Sequence, residues 1–175
     1  LARALTRSGA QLVLAESCTG GLAAATLAQN PGISRHLCGS AVVYQSETKA
    51  QWLKIPRSFL KKHGAESAAV TERLARQILE QTRQATISAG ITGDLGPLPA
   101  QPQKVGVIFV ACAIKTQGAT KIKFSAQIRL KKPRGHSASA DPKKLRIMLQ
   151  QVASMALLRM VRQMLSDTLR QHRGN

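Results

Sequence analysis

The stretch Ala15-Glu16-Ser17-Cys18-Thr19-Gly20-Gly21 sets two hydroxyls and a thiol between an apolar run and a pair of glycines. A strand that runs into a small polar loop and then a helix exposes backbone N–H groups beside the positive end of a helix dipole. Such a place suits a phosphate or the oxyanion of an acyl-transfer intermediate. Ser17, Cys18 and Thr19 are three candidate nucleophiles within it. The pattern is neither a GxSxG elbow nor a GxxxxGK[ST] phosphate loop. Strand–turn–helix loops of Ser and Gly are also common as plain structure, so the loop alone does not assign a reaction.

A serine nucleophile needs an activator. His36, His63, His136 and His172 are scattered and none lies beside a carboxylate partner, so a Ser-His-Asp triad has no support. His63 follows two lysines on an expected surface helix, where it is inert. No histidine pair has metal-ligand spacing, and Cys18, Cys38 and Cys112 are too far apart for a zinc site. The remaining activator is a lysine made neutral by desolvation or neighbouring charge. Lys49 is the candidate, just past a buried strand and five residues after Tyr44. A phenol and an amine converging there would relay a proton, although spacing alone does not separate Lys49 from an ordinary surface lysine.

Apolar periodicity supplies the elements that must position these groups. Residues 1–8 read as a short helix and 11–15 as a buried strand. Gly20-Gly21 opens a helix to about Gln29, which Asn30-Pro31-Gly32 stops. Residues 39–45 form a second strand, with helical pieces at 47–53 and 56–63. Thr71 is the expected cap of a helix whose face is Leu74, Ile78 and Leu79, ending near Arg83. Residues 86–91 make a third strand, and 92–104 a loop holding three prolines and two glycines.

Residues 105–114 and 121–130 are strands joined at Gly118; in the second, Ile122, Phe124, Ala126, Ile128 and Leu130 alternate with polar residues. Residues 131–140 are basic, turn-rich and expected to be mobile. Asp141-Pro142 then starts a long helix with an apolar stripe of Leu145, Leu149, Val152, Ala156, Met160 and Met164. All four methionines lie in this helix, and core packing is preferred to a partner groove. Alternating helices and strands followed by a hairpin predict a single α/β domain over 1–175, a three-layer α/β/α sandwich on a mixed, mostly parallel sheet of about five strands.

The chain has 175 residues, 43% of them hydrophobic, which fits one packed domain and excludes a disordered tail. No apolar run approaches the roughly 20 residues of a membrane span. With no secretory leader and three cysteines that form no CxxC pair, a reducing cytoplasm is the expected setting. The charge is the anomaly: 26 Lys and Arg against 8 Asp and Glu give +18, over half of the excess lying in the last third. Such a balance suggests a polyanionic partner, although a merely basic, solvated surface is the preferred reading. Against a base-stacking nucleic-acid module stand the few rings, Tyr44, Trp52, Phe59, Phe109 and Phe124, whereas a duplex binder needs only phosphate contacts.

Three separated stretches carry a resemblance to a known family. They are Ala15 to Gly21 (AESCTGG), then Asn30-Pro31-Gly32-Ile33-Ser34, then Val43-Tyr44-Gln45-Ser46-Glu47-Thr48-Lys49. In sequence and interval they closely resemble the C-terminal domain of the CinA competence/damage-inducible family, which includes stand-alone nicotinamide-nucleotide amidases. Gly90-Ile91-Thr92-Gly93-Asp94-Leu95-Gly96-Pro97 resembles that family's T-G-I-A-G-P loop, and Val105-Gly106 the opening of its next strand. The resemblance is strong over 10–55, fair over 86–113 and faint afterwards. It implies hydrolysis of nicotinamide mononucleotide to nicotinate mononucleotide and ammonia, a step of pyridine nucleotide salvage. It also implies Ser17 as nucleophile, Lys49 as base and Tyr44 assisting, with substrate contacts from Cys18, Thr19, Gly20, Gly21, Ser34, Gly93 and Gly96. Backbone N–H groups around 19–21 are the expected oxyanion donors. No metal or organic cofactor is required, and association into a homo-oligomer, dimer or higher, is implied.

The chain departs from the family pattern in places. Asp94 and Leu95 replace a small apolar pair, and residues 98–104 lack the usual glycine pair and the proline before Val105. The G-[DN]-R step before the last helix, whose arginine suits a substrate phosphate, has no clear counterpart; Arg134 and Arg146 are the candidates. Two functions of different class follow. One is a Ser/Lys amidohydrolase acting on nicotinamide mononucleotide. The other is a catalytically weakened or inactive basic protein on the same fold that binds nucleic acid in a competence or DNA-damage setting.

Overall fold

A computed structural model describes residues 1–96, 105–131 and 141–171, the side chains of residues 169 and 171 aside. In chain order the elements are α1 (Ala2–Ser8), β1 (Leu12–Glu16), α2 (Leu22–Ala28), a 3₁₀ turn (Ile33–Arg35), β2 (Leu37–Val42), α3 (Ser46–Leu53), α4 (Arg57–His63), α5 (Ala68–Gln81), β3 (Ile87–Asp94), β4 (Val107–Thr116), β5 (Ala119–Arg129) and α6 (Pro142–Gln171). The sheet order is β2-β1-β3-β4-β5. β1 is parallel to both β2 and β3, and β4 is antiparallel to β3 and β5, so β4 alone runs against the other four. This is the mixed, mostly parallel α/β sandwich that the element order predicts. No helix among the described residues is long and apolar enough to cross a membrane.

Strand alternation divides the core in two. Leu12 and Leu14 of β1 join Ile87, Ala89 and Ile91 of β3 under α1, α2 and α6. Val13 and Ala15 point the other way and pack with Leu53, Leu60, Leu74 and Leu79 of α3, α4 and α5. Consecutive residues of β1 therefore serve opposite layers, and this fixes where Glu16 and Ser17 are aimed.

Several boundaries differ from the sequence reading, for physical reasons. β2 ends at Val42 rather than 45, because Val43 N–H still pairs with Glu16 C=O but Gln45 already caps α3. Ser67, not Thr71, caps α5: its hydroxyl accepts from Val70 N–H at 3.3 Å. Thr71 sits one turn inside, donating to Ser67 C=O at 2.7 Å. β3 continues to Asp94, since residues 92–94 pair with β4 at Phe109, Ile108 and Val107. The pairing of β5 shifts where Cys112 faces Phe124 and Ala113 faces Ile122. Lys123 is the extra residue of this bulge, so Ile122 and Ile128 pack on opposite layers and Phe124 is left exposed.

In α6 the buried row is Leu149, Ala153, Leu157, Val161 and Leu165, with Leu158 and Met164 beside it; Val152 is exposed. Of the expected stripe, Leu149 and Met164 are buried and Leu145, Ala156 and Met160 pack against the core, while the buried face extends one position on through Ala153, Leu157 and Val161. Met164 is core, as expected, but Met155 is exposed. The Asp141 start holds: its Oδ1 accepts from Lys143 N–H at 2.9 Å. The expected mobile segment at 131–140 lies outside the described residues apart from residue 131.

Candidate active site

Glu16 ends β1 facing α2, and its carboxylate is fully buried. Oε2 accepts from Thr19 Oγ1 at 2.7 Å, Gly21 N at 3.1 Å and Ala23 N at 3.0 Å. Oε1 accepts from Ala24 N at 2.9 Å and Ser40 Oγ at 3.0 Å. Five donors and the positive end of the α2 dipole balance a carboxylate that would otherwise be costly to bury. Gly20 and Gly21 make the tight turn possible, with φ of 63° and 96° that a side chain rarely tolerates.

This arrangement corrects two expectations. The α2 N-terminus is filled by the chain's own carboxylate, so it is not an open phosphate cradle. Of the loop N–H groups expected to serve an oxyanion, Gly21 donates to Glu16 and Gly20 to Ser17 C=O at 3.0 Å. Thr19 N–H remains, with no acceptor among the described residues.

Ser17 follows Glu16 and points to the opposite layer, where it meets α3. Its backbone is pinned by Ser17 N–H donating to Ile91 C=O at 3.2 Å. Lys49, in the middle of α3, is only 1% exposed. Its Nζ donates to Ser17 Oγ at 3.1 Å and to the Tyr44 carbonyl at 3.1 Å. Burial pushes the Lys49 pKa down from its ordinary value, partly opposed by the negative charge of Glu66 and by Cys18. A lysine tuned in this direction can accept a proton from a neighbouring hydroxyl more readily than a solvated one.

The five-residue spacing predicts the Tyr44 phenol beside the amine. Instead the backbone carbonyl of Tyr44 makes that contact, while its side chain, 50% exposed, accepts through the hydroxyl from Arg146 Nη2. Arg146 comes from the first turns of α6 and also approaches Gly96: a Cβ built there would lie 2.6 Å from Arg146 Nη1. The absent side chain at Gly96 thus leaves room for the guanidinium. Gly96 N–H itself donates to Asp94 Oδ1 at 2.9 Å. One turn further along α6, Gln150 Nε2 donates to Cys18 C=O at 3.2 Å.

The other sequence candidates sort clearly. Cys18 is buried in the apolar layer under α6, and burial pushes its thiol up to about 12, so it is not a thiolate nucleophile. Thr19 donates its hydroxyl to Glu16 and supports the loop. A Cβ on Gly93 would meet Val107 C=O at 2.6 Å, so Gly93 serves strand packing. Ser34 is not brought to the site: it is exposed in the 3₁₀ turn that leads into β2, and His36 C=O of that turn's end accepts from Leu12 N–H at the start of β1. Ser17 lies at the other end of the same strand.

Arg134, His136 and His172 fall outside the described residues. His36 contacts Ala10 C=O through Nδ1 and His63 packs on Phe59, neither near Ser17. Among the described residues no His/Cys/Asp/Glu cluster could hold a metal ion. Sequence reasoning missed Glu16, Glu66 and Gln150. For Glu16 a signal existed, an acid directly preceding a small-residue loop and helix; for the other two nothing in the sequence marks the distance they cross.

Comparison with known proteins places this geometry in context. A family model described as the CinA C-terminal domain matches residues 1–146. A CinA-like protein of Desulfotalea psychrophila is 38% identical over 112 residues, covering 63% of this chain and 27% of that protein. One from Koribacter versatilis is 41% identical over 108 residues, covering 61% and 26%. The chain spans about a quarter of the length of the curated relatives it matches. Among solved structures, a competence-damaged protein (CinA) superfamily protein from Klebsiella pneumoniae superposes with a TM-score of 0.72 at 25% identity, covering 95% of this chain and 93% of that one. A competence/damage-inducible protein from Agrobacterium tumefaciens gives 0.69 at 25% identity, with 90% and 88% covered.

Proposed function

Because the chain belongs to the CinA C-terminal domain family and carries a buried lysine in contact with a serine, we propose that it is a cytoplasmic Ser/Lys amidohydrolase that converts nicotinamide mononucleotide to nicotinate mononucleotide and ammonia in pyridine nucleotide salvage. The observation that supports this reading is the 3.1 Å contact between Lys49 Nζ and Ser17 Oγ in a nearly solvent-free setting. Lys49 in its neutral form takes the Ser17 proton as Oγ attacks the carboxamide carbon. The C–N bond of the tetrahedral intermediate then breaks, and the Lys49 ammonium gives its proton to the departing ammonia. Water repeats the sequence on the acyl-serine, Lys49 removing its proton, and the carboxylate product leaves with Ser17 restored. Thr19 N–H is the loop donor for the oxyanion, an interaction worth about 3 kcal/mol of barrier where such donors have been removed. Arg146, held between Tyr44 and Gly96, is the group for the substrate phosphate.

The test is ammonia release from nicotinamide mononucleotide by the chain and by its Ser17→Ala and Lys49→Ala variants. Turnover by the parent and a loss of about 10³-fold or more in each folded variant is the expected result. Absence of turnover in the parent, or full activity without Ser17, would end the proposal.

A further inference from the structure

A second feature lies well away from Ser17. Between α1 and the C-terminal half of α6 is a cleft of about 780 Å³ whose walls carry Arg3, Arg7, Arg159, Arg162 and Arg170 against one acid, Asp167. The spacing explains the convergence. Arg3 and Arg7 are one turn apart on α1, and Arg159, Arg162 and Arg170 follow one face of α6 at steps of three and eight. The opposite face of α6, with Leu157, Val161 and Leu165, is buried, so the helix cannot turn these arginines elsewhere. All five are exposed, and none is ion-paired with a described residue.

A basic helix face is ordinarily just a solvated surface. Here two helices aim like charges into one concavity, which focuses their field on whatever enters it. Arg159 and Arg170 are about 16 Å apart along the helix axis, at 1.5 Å per residue. One nucleic-acid strand carries about five phosphates over that length. A single phosphate would engage only part of the row. Among the described residues no aromatic ring lines the cleft, so they offer no base-stacking platform. Arginine forks on an extended phosphate row, without rings, fit duplex backbone.

We infer that the cleft between α1 and the C-terminal half of α6 is a sequence-independent binding surface for the phosphate backbone of duplex nucleic acid. It is separate from the proposed amidase site: Arg146, beside Tyr44, is about 20 Å along α6 from Arg159. The inference therefore stands or falls independently of the amidase reading.

The test is anisotropy of a labelled duplex of about 20 base pairs over a salt series, with the whole chain. Five arginine–phosphate contacts give a slope of log affinity against log salt of about −4.5, at roughly 0.9 per phosphate. Arg159→Gln with Arg162→Gln is expected to reduce that slope by about 2 and to weaken binding at least about tenfold at low salt. Arg3→Gln with Arg7→Gln, on the other wall, is expected to act alike, so the result does not depend on one variant folding. Arg159→Lys with Arg162→Lys should keep the slope. Lys61→Gln with Lys62→Gln, exposed on α4 across the sheet, should change little. No duplex binding, equal weakening by the Lys61/Lys62 variant, or indifference to both arginine pairs would overturn the inference. So would displacement of the duplex by inorganic tripolyphosphate at equal phosphate concentration, since a short anion would then suffice.

Discussion

Lys49 stands in the interior with a hydroxyl and a carbonyl as its acceptors. Its folded pKa lies below the usual 10.5, with burial the main cause. Between the folded value and 10.5 the unfolded chain holds a proton that the native chain has released, so stability rises with pH across that window. Below the folded value the penalty of the buried ammonium is fully present. Denaturant melts of the parent and of Lys49→Met from about pH 7 to pH 10 should show their difference moving in the parent's favour as pH rises. A difference independent of pH would mean that Lys49 is not tuned by burial. The same direction applies to catalysis, with a rising activity limb below the ordinary lysine range. Ser17, Tyr44 and Lys49 stand out because the runs around them match the family pattern; the loop chemistry and the spacing by themselves leave a plain structural turn and a surface lysine open. The role of Glu16 went unread although an acid precedes the small-residue loop, since capping signals are sought next to a helix start and Glu16 lies six residues ahead of Leu22. The exchange of roles within Tyr44, carbonyl to the amine and phenol to Arg146, depends on backbone direction that no spacing rule supplies.

At the scale of elements, α5 rests on β3 at a point with no room to spare. A Cβ at Gly90 would lie 2.8 Å from Thr71 C=O and 3.1 Å from Ala75 N, both backbone atoms that cannot swing aside. Gly90→Ala should therefore force α5 outward and destabilise the chain by about 2 kcal/mol, read as a lower denaturant midpoint at unchanged slope. A neutral result would show that the helix can shift without cost. The hydroxyl pair Thr71–Thr92, at 2.7 Å, belongs to the same contact. This explains why Thr71 misled the sequence reading: it is a polar residue near a helix start, yet its hydroxyl is used against the sheet while Ser67 caps. The full width of the buried face of α6 went unread for a related reason, although all of the expected stripe but Val152 packs on the core. Ala153 and Ser154 are buried, and small residues carry little weight in an apolar stripe although they are what lets a helix lie close. The alternation in β5 was correct in kind, but a bulge reverses its sides midway, and a bulge leaves no mark in a period-two pattern.

Across the molecule, the sheet separates two layers of apolar packing while the chain carries a formal charge of +18. The element order and the sandwich were readable because helix and strand periods alternate cleanly; the distribution of charge in space was not, since Arg3 and Arg170 meet only once α1 and α6 pack together. With so few acids, self-repulsion weighs against the compact state. Raising sodium chloride from about 20 to 300 mM, across which the Debye length shrinks severalfold, should raise the melting temperature by about 3 °C or more. The ion pair of Arg57 with Glu47 is exposed and so offers little attraction for screening to remove. A fall in melting temperature with salt would reveal attraction outweighing repulsion.

The adjacency of Glu16 and Ser17 makes the site a matter of parity. Neighbours on a strand look to opposite sides, so the carboxylate reaches α2 and the hydroxyl reaches α3 only while β1 keeps its count relative to β2 and β3. Losing one residue from β1 would exchange the two, sending an acid towards Lys49 and a hydroxyl towards the helix end. Losing two would restore their sides. For this chain, an odd change in strand length is a chemical inversion, whereas an even one is only a change of reach.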